Sequence, residues 1–334
     1  MGSNSVAWKN RRLASEPLEA DPPGPVADEI ASGRHCQLPG RCTGTYVREI
    51  AGPKGAPTLL LIHGWLATGG LNWFRVFEPL SRHFNLIVPD MRGHGRGPKS
   101  WRRFELEDCA DDLAALVRSR KPEKLIAVGY SMGGAIAQHF WRRHPHLVDG
   151  LVLCATADRL QEGQAGTFAF RAVMAALAGA VRLSQLRPAL IRRLGSRSVA
   201  PSGAPAVETA TTRWAADQMR NHDLRMLVEA GYALSRHDSR DWIGEVDVPT
   251  SVVVTLQDRA IPPEIQTGMA DRIPGARVFP LEDGHVACNG EKFAGVLLEA
   301  CLDVRKRSRR RRARCPTKDS RRSPRRQSRY AHPR

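Results

Sequence analysis

Gly129-Tyr130-Ser131-Met132-Gly133-Gly134 is the stretch that decides how this chain folds. It follows Lys124-Leu125-Ile126-Ala127-Val128, an apolar and partly β-branched run that reads as a buried strand. It precedes Ala135-Ile136-Ala137-Gln138-His139-Phe140-Trp141, which reads as a helix. Between a strand and a helix, G-x-S-x-G predicts a turn so tight that side chains at Gly129 and Gly133 would collide with neighbouring backbone. Ser131 is then held in a strained conformation with its hydroxyl above the sheet. The amides at the start of the helix point toward negative charge that develops there. Read alone, the motif fits an ordinary structural turn equally well, so its weight comes from the rest of the chain.

A chain of 334 residues suits one large domain or two modest ones, and its 42% hydrophobic content supports a real core, which excludes a disordered protein. The net charge of +17 is unevenly spread. Residues 305–334 hold fifteen Lys or Arg against the single acid Asp319, whereas the other 304 residues carry 36 bases and 33 acids. The basic character therefore belongs to the tail. Seven cysteines, an odd number with no C-x-x-C pair, indicate reduced thiols and a cytoplasmic setting rather than a disulfide scaffold. Residues 1–30 hold charges and prolines but no apolar signal core, and no apolar run approaches the roughly 20 residues of a membrane span.

Five segments follow from this reading. Residues 1–34 are a polar leader with Pro22-Pro23-Gly24-Pro25, expected to be disordered. The first part of the core is 35–155, with strands at Thr45–Ile50, Thr58–Ile62, Leu86–Pro89, the run before Ser131, and Asp149–Cys154. Residues 156–245 lack strand alternation and read as helices at Phe168–Ala180, Ser184–Leu194, Ala206–Asn221 and Asp223–Leu234. The core resumes over 246–304, with strands at Val248–Gln257 and Arg277–Leu281 and a terminal helix at Glu291–Val304. The basic stretch 305–334 is expected to be disordered. It suits weak electrostatic contact with anionic lipid or nucleic acid, and it carries no aromatic interleaving for base recognition.

Three further positions join Ser131. His63-Gly64 ends the strand at Thr58–Ile62, and the loop behind it is where a second oxyanion donor belongs. The two backbone N–H groups expected to hold a tetrahedral oxyanion are those of Trp65 and Met132. His63 itself reads as a residue that shapes this loop. Asp258 lies at the end of a β-branched strand before a proline turn, and His285 lies in the loop after the last strand. Ser131, Asp258 and His285 thus appear in the order nucleophile, acid, base, each just beyond a strand, which gathers them at one edge of a parallel sheet. Asp158 is the competing candidate for the acid. Asp90 and Arg92 read as a structural pair. The carboxylates Glu107, Asp108, Asp111 and Asp112 read as a solvated helix face rather than metal ligands.

With H-G-x, P-D-x-R-G-x-G, G-x-S-x-G, D-x-x-x-P and G-H in place, the chain resembles the α/β-hydrolase superfamily over about residues 40–304. The resemblance implies an α/β fold: a mostly parallel eight-stranded sheet with helices on both faces and a helical cap between strands six and seven. It also implies serine hydrolase chemistry without metal or organic cofactor. Relatives with dehalogenase or epoxide hydrolase chemistry carry Asp where this chain has Ser131. The expected substrate is a small carboxylic ester or thioester. Alternatives on the same residues are carbon–carbon bond hydrolysis, cofactor-free perhydrolysis and non-catalytic ligand binding. The small apolar run Ala172–Val181 in the helical segment reads foremost as a packed cap helix, with contact to a lipid-like substrate or a membrane surface as the other reading, and it favours an apolar acyl part.

Overall fold

The computed structural model describes residues 32–159, 165–186 and 218–314, together with Trp214 and Ala216. Eight strands form one sheet: β1 (Gly33–Gln37), β2 (Gly44–Ile50), β3 (Thr58–Ile62), β4 (Asn85–Pro89), β5 (Leu125–Tyr130), β6 (Gly150–Cys154), β7 (Thr250–Thr255) and β8 (Arg277–Leu281). Their order across the sheet is β1-β2-β4-β3-β5-β6-β7-β8. Strand β2 runs against both of its neighbours, and every pairing from β4 to β8 is parallel.

The continuous apolar runs have a direct cause. In β3, Leu60 and Ile62 face one core while Leu59 and Leu61 face the other. Period-two alternation is invisible when both faces are buried, so the strand reads as a block. The first core packs the sheet against α3 (Leu106–Arg120) and α4 (Met132–Arg143), through residues such as Leu113, Leu116, Ile136 and Phe140. The second packs it against α1 (Gly69–Trp73) and α2 (Phe77–Ser81), and against the terminal helix through Phe293, Leu297 and Val304.

Helices α5 (Ala165–Leu186) and α6 (Leu224–Ser235) lie between β6 and β7 in the chain. One helix of 22 residues thus covers Phe168–Ala180 and the start of the expected Ser184–Leu194 helix. The rest of that second helix, and most of Ala206–Asn221, lie outside the described residues. Met174 and Arg182, two turns apart on α5, face α6. The Met174 sulfur lies 3.1 Å from where a Cβ on Gly231 would sit, and Arg182 Nε donates to Glu229 Oε1 at 2.6 Å. Of the small apolar run on α5, Ala178 is buried, whereas Val173 and Leu177 are exposed. No helix among the described residues is long and apolar enough to cross a membrane.

Several expectations need correction. Strand β1 begins at Gly33, inside the stretch read as leader, and has the polar, exposed pattern of an edge strand paired on one side only. Helices α1, α2 and α7 (Pro263–Arg272) were not anticipated, being short or weakly amphipathic. The terminal helix α8 runs from Glu291 to Arg314, ten residues into the supposed disordered tail. Its basic side chains find acceptors. Arg307 donates to the Thr250 carbonyl at 2.7 Å and pairs with Asp303, and Arg311 pairs with Asp247 at 3.0 Å. Residues 315–334 and 1–31 lie outside the described residues.

Two of the four carboxylates of α3, Asp111 and Asp112, are not part of a solvated face. Asp112 is buried and accepts from Arg92 Nη2 at 3.0 Å and from Arg41 Nε at 2.7 Å, while Asp111 accepts from Arg143 and His144, each at 2.9 Å. Arg92 is thereby taken by Asp112, so it does not pair with Asp90. Asp90 instead accepts the Gly69 amide at 2.9 Å and the Arg96 amide at 3.0 Å, and lies 3.7 Å from the fully buried Arg48 guanidinium. Both residues lie beyond the end of β4, in a turn where strand alternation no longer fixes side-chain direction, so spacing alone does not pair them.

Candidate active site

Ser131 joins β5 to α4 and has φ +53° and ψ −118°, a conformation an L-residue adopts at a cost of roughly 1–3 kcal/mol. The turn is over-determined by its surroundings. A Cβ on Gly133 would lie 2.0 Å from the Ile62 carbonyl oxygen, so α4 starts in backbone contact with the end of β3. Gly64 likewise brings the loop after β3 against the elbow, its absent Cβ only 3.4 Å from the Ser131 Cβ. That loop is pinned from three directions. The Gly64 amide donates to Asn72 Oδ1 at 2.9 Å, its carbonyl accepts from His63 Nδ1 at 2.8 Å, and the Trp65 indole donates to the Leu227 carbonyl of α6 at 2.9 Å.

His63 also accepts the Met91 amide on Nε2 at 2.8 Å, so it carries its proton on Nδ1. Complete burial lowers its pKa to about 4, which keeps it neutral. This is the loop-shaping histidine read from sequence. Met132 is the first residue of α4, where amides have no intrahelical partner.

The chain closes the constellation from two distant strands. Asp258 lies three residues past β7 and His285 four past β8. Ser131 Oγ is 2.9 Å from His285 Nε2, and His285 Nδ1 is 2.8 Å from Asp258 Oδ2. Asp258 is buried within a full set of donors. Its Oδ1 accepts the amides of Ala260 and Ile261 at 2.8 and 2.9 Å; its Oδ2 also accepts Thr255 Oγ1 at 2.8 Å. Burial pushes the carboxyl pKa up, but hydrogen bonds from His285, the Ile261 amide and Thr255 outweigh it, so the net shift is downward. Asp158 is engaged elsewhere: it accepts from Arg272 Nη1 at 2.9 Å, and burial raises its pKa.

Three supporting residues escaped the sequence reading. Tyr130, buried edge-on against Trp73 and Phe293, donates its hydroxyl to the His285 carbonyl at 2.7 Å. Gln266 on α7 donates to the Ile261 carbonyl at 2.7 Å and to Asp258 Oδ2 at 3.3 Å. Asn72 holds the Gly64 amide, as above. All three act across long sequence separations or from elements the sequence did not reveal. A tyrosine inside G-x-S-x-G was the one visible hint.

A cavity of about 630 Å³ opens over Ser131 and His285, within the range of small-molecule sites. Its walls include Trp65, Leu66, Phe74, Trp214, Met219 and Val286. A buried serine at a strained turn, bonded to a histidine that is bonded to a buried carboxylate, is an arrangement competent for nucleophilic attack at a carbonyl.

A family model described as the alpha/beta hydrolase fold matches residues 57–289, well over half of the chain. The chain belongs to the α/β-hydrolase fold family. Within this family it is 26% identical over 250 residues to an AB hydrolase superfamily protein of Bacillus subtilis, spanning 74% of this chain and 90% of that one. It is 28% identical over 228 residues to a pimeloyl-[acyl-carrier protein] methyl ester esterase of Chromobacterium violaceum, spanning 67% and 84% respectively. Among solved structures, an esterase from Exiguobacterium antarcticum superposes with a TM-score of 0.63 at 21% identity, covering 80% of this chain and 98% of that one. An enol-lactonase from Burkholderia xenovorans gives 0.62 at 23% identity, with 82% and 100% covered. Both likenesses bear on the fold, which matches the α/β-hydrolase sheet described above.

Proposed function

We propose that this α/β-hydrolase cleaves a carboxylic ester or thioester through an acyl-enzyme intermediate on Ser131. The observation that carries the reading is the unbroken hydrogen-bonded chain Ser131–His285–Asp258 at the floor of an apolar cavity. His285 takes the Ser131 proton as Oγ attacks the carbonyl carbon. The tetrahedral oxyanion is held by the amides of Trp65 and Met132, one in the pinned loop and one at the start of α4. Collapse expels the alcohol or thiol, which receives the proton from His285. Water then enters, gives its proton to His285, and attacks the acyl carbon to release the acid and regenerate Ser131. Asp258 keeps the imidazole proton on Nδ1 and stabilises the imidazolium in both halves. Helices α5 and α6 serve as the cap, a role supported by the Trp65–Leu227 bond, and Trp214 and Met219, which lie between the two helices in the chain, stand in the cavity wall. The esterase named among the relatives agrees with this chemistry.

A fluorophosphonate probe and p-nitrophenyl esters from acetyl to palmitoyl test the proposal. A stoichiometric burst of p-nitrophenol, a phosphonyl adduct on the peptide carrying Ser131, and an optimum at one chain length are expected. Absence of both burst and adduct sinks the acyl-enzyme reading.

Tyr130 is a positioning residue in this scheme. Its hydroxyl fixes the main chain at the base, while its ring only fills the core. Tyr130→Phe is therefore expected to lower kcat about five-fold, the worth of roughly one hydrogen bond, with KM and Tm little changed. An unchanged kcat would remove Tyr130 from the mechanism.

A further inference from the structure

The cavity over Ser131 is apolar on nearly every side, yet one wall carries Arg75. This residue sits in the short 3-10 turn Phe74–Val76, between α1 and α2, and is exposed. Its guanidinium lies 5.3 Å from the centre of the Phe74 ring, and Phe74 meets the buried Trp214 edge-on at 5.8 Å. The aromatic wall therefore holds the arginine stem in place, as cation–π stacking does. Among the described residues Arg75 makes no ion pair, and no Asp or Glu lines the cavity. Arg75 is the only Lys or Arg among the described lining residues. A cation at the edge of an apolar slot with no counter-charge among the described lining residues favours an anionic ligand over a neutral one.

We propose that Arg75 selects esters whose acyl chain ends in an anionic group, in the simplest case the half-esters of dicarboxylic acids. This rests on the ester-hydrolase reading above and names its substrate class. The methylene chain lies along Leu71, Phe74 and Trp214, the ester carbonyl reaches Ser131, and the distal carboxylate meets the guanidinium. Arginine suits this task because its planar fork donates two parallel N–H···O bonds to a carboxylate. The gain is modest because the head group is solvated, and it is screened by salt.

The test compares monomethyl adipate with methyl hexanoate, chains of equal length that differ in the terminal carboxylate. The readout is the ratio of their kcat/KM values, followed by methanol release. The wild type is expected to favour the adipate half-ester at low salt, and the ratio falls as salt is added. Arg75→Gln lowers the ratio about five-fold and abolishes its salt dependence, Arg75→Glu lowers it further, and Arg75→Lys recovers part of it. A ratio equal in wild type and Arg75→Gln overturns the inference while leaving ester hydrolysis intact. Failure of the wild type to turn over monomethyl adipate also overturns it, whereas the phosphonyl adduct on Ser131 decides the hydrolase reading separately.

Discussion

With asparagine at position 258, kcat for ester hydrolysis is expected to fall by about four orders of magnitude while the protein stays folded. The size follows from where donors already stand. Oδ1 of Asp258 accepts the amides of Ala260 and Ile261, so an oxygen must remain there. The asparagine nitrogen then takes the place of Oδ2, facing His285 Nδ1 at 2.8 Å. A donor at that point requires Nδ1 to be an acceptor, which puts the imidazole proton on Nε2. Nε2 is the atom 2.9 Å from Ser131 Oγ, and once protonated it has no lone pair to take the serine proton. The shape of the site survives and its tautomer is wrong. Steady-state kinetics with and without the substitution, checked by urea unfolding, measure the effect. A loss below about ten-fold in a folded variant would mean that another group orients the base.

The second large effect is on stability in mild acid. His63, His94 and His237 are buried, and burial holds their pKa values at about 4, about 3 and about 3. His94 also lies beside the rings of His63 and His222, and His237 beside His139, so each charge would meet another. The sign is fixed by which state binds protons. The unfolded histidines titrate near 6.5 while the folded ones stay neutral, so protons favour unfolding below that pH. The contribution is complete above about pH 6.5 and drains away as pH falls toward the folded values. Each site gives up roughly 1.4 kcal/mol per pH unit, so the three together cost on the order of 6 kcal/mol at pH 5. Glu105 and Asp158, whose pKa values burial raises, offset part of this. Urea unfolding at pH 7.5 and pH 5 is expected to show the part of that loss that is not offset, a large fraction of the stability of an ordinary domain. Equal unfolding midpoints at the two values would contradict it.

Much of the sheet was legible because its strands are buried on both faces and so read as apolar blocks. The strand spans around Leu59–Ile62, Leu125–Val128 and Leu151–Cys154 agree with those observed, as does that of the mostly exposed edge strand Arg277–Leu281, which is no such block. What was not legible lies at the margins. Strand β1 pairs on one side and has nothing to bury, so its composition matches that of a leader. Helix α8 continues past Val304 because Asp303, Asp247 and the Thr250 carbonyl accept its arginines, partners no charge count reveals. Asp111 and Asp112 of α3 looked solvated for the same reason: Arg41, Arg92 and Arg143 come from other elements.

The candidate site divides along the same line. The elbow was legible in the sequence only in combination: Gly129, Ser131 and Gly133 between an apolar strand and a helix fit an ordinary turn as well, and the strand-end positions of His63-Gly64, Asp258 and His285 tip the reading. The sequence also determined the order Ser131, Asp258, His285 and their position just past strand ends, because parallel strands of one sheet deliver their C-terminal ends to one edge. Only the tertiary structure decided that Asp258 and not Asp158 reaches His285, that Tyr130, Asn72 and Gln266 hold the parts in place, and that Arg75 borders the cavity. Periodicity reports which face of an element is buried. Hydrogen-bond partners depend on the register and approach of elements far apart in the chain, as with Ser131 and His285 at a sequence separation of 154, and those are set by packing.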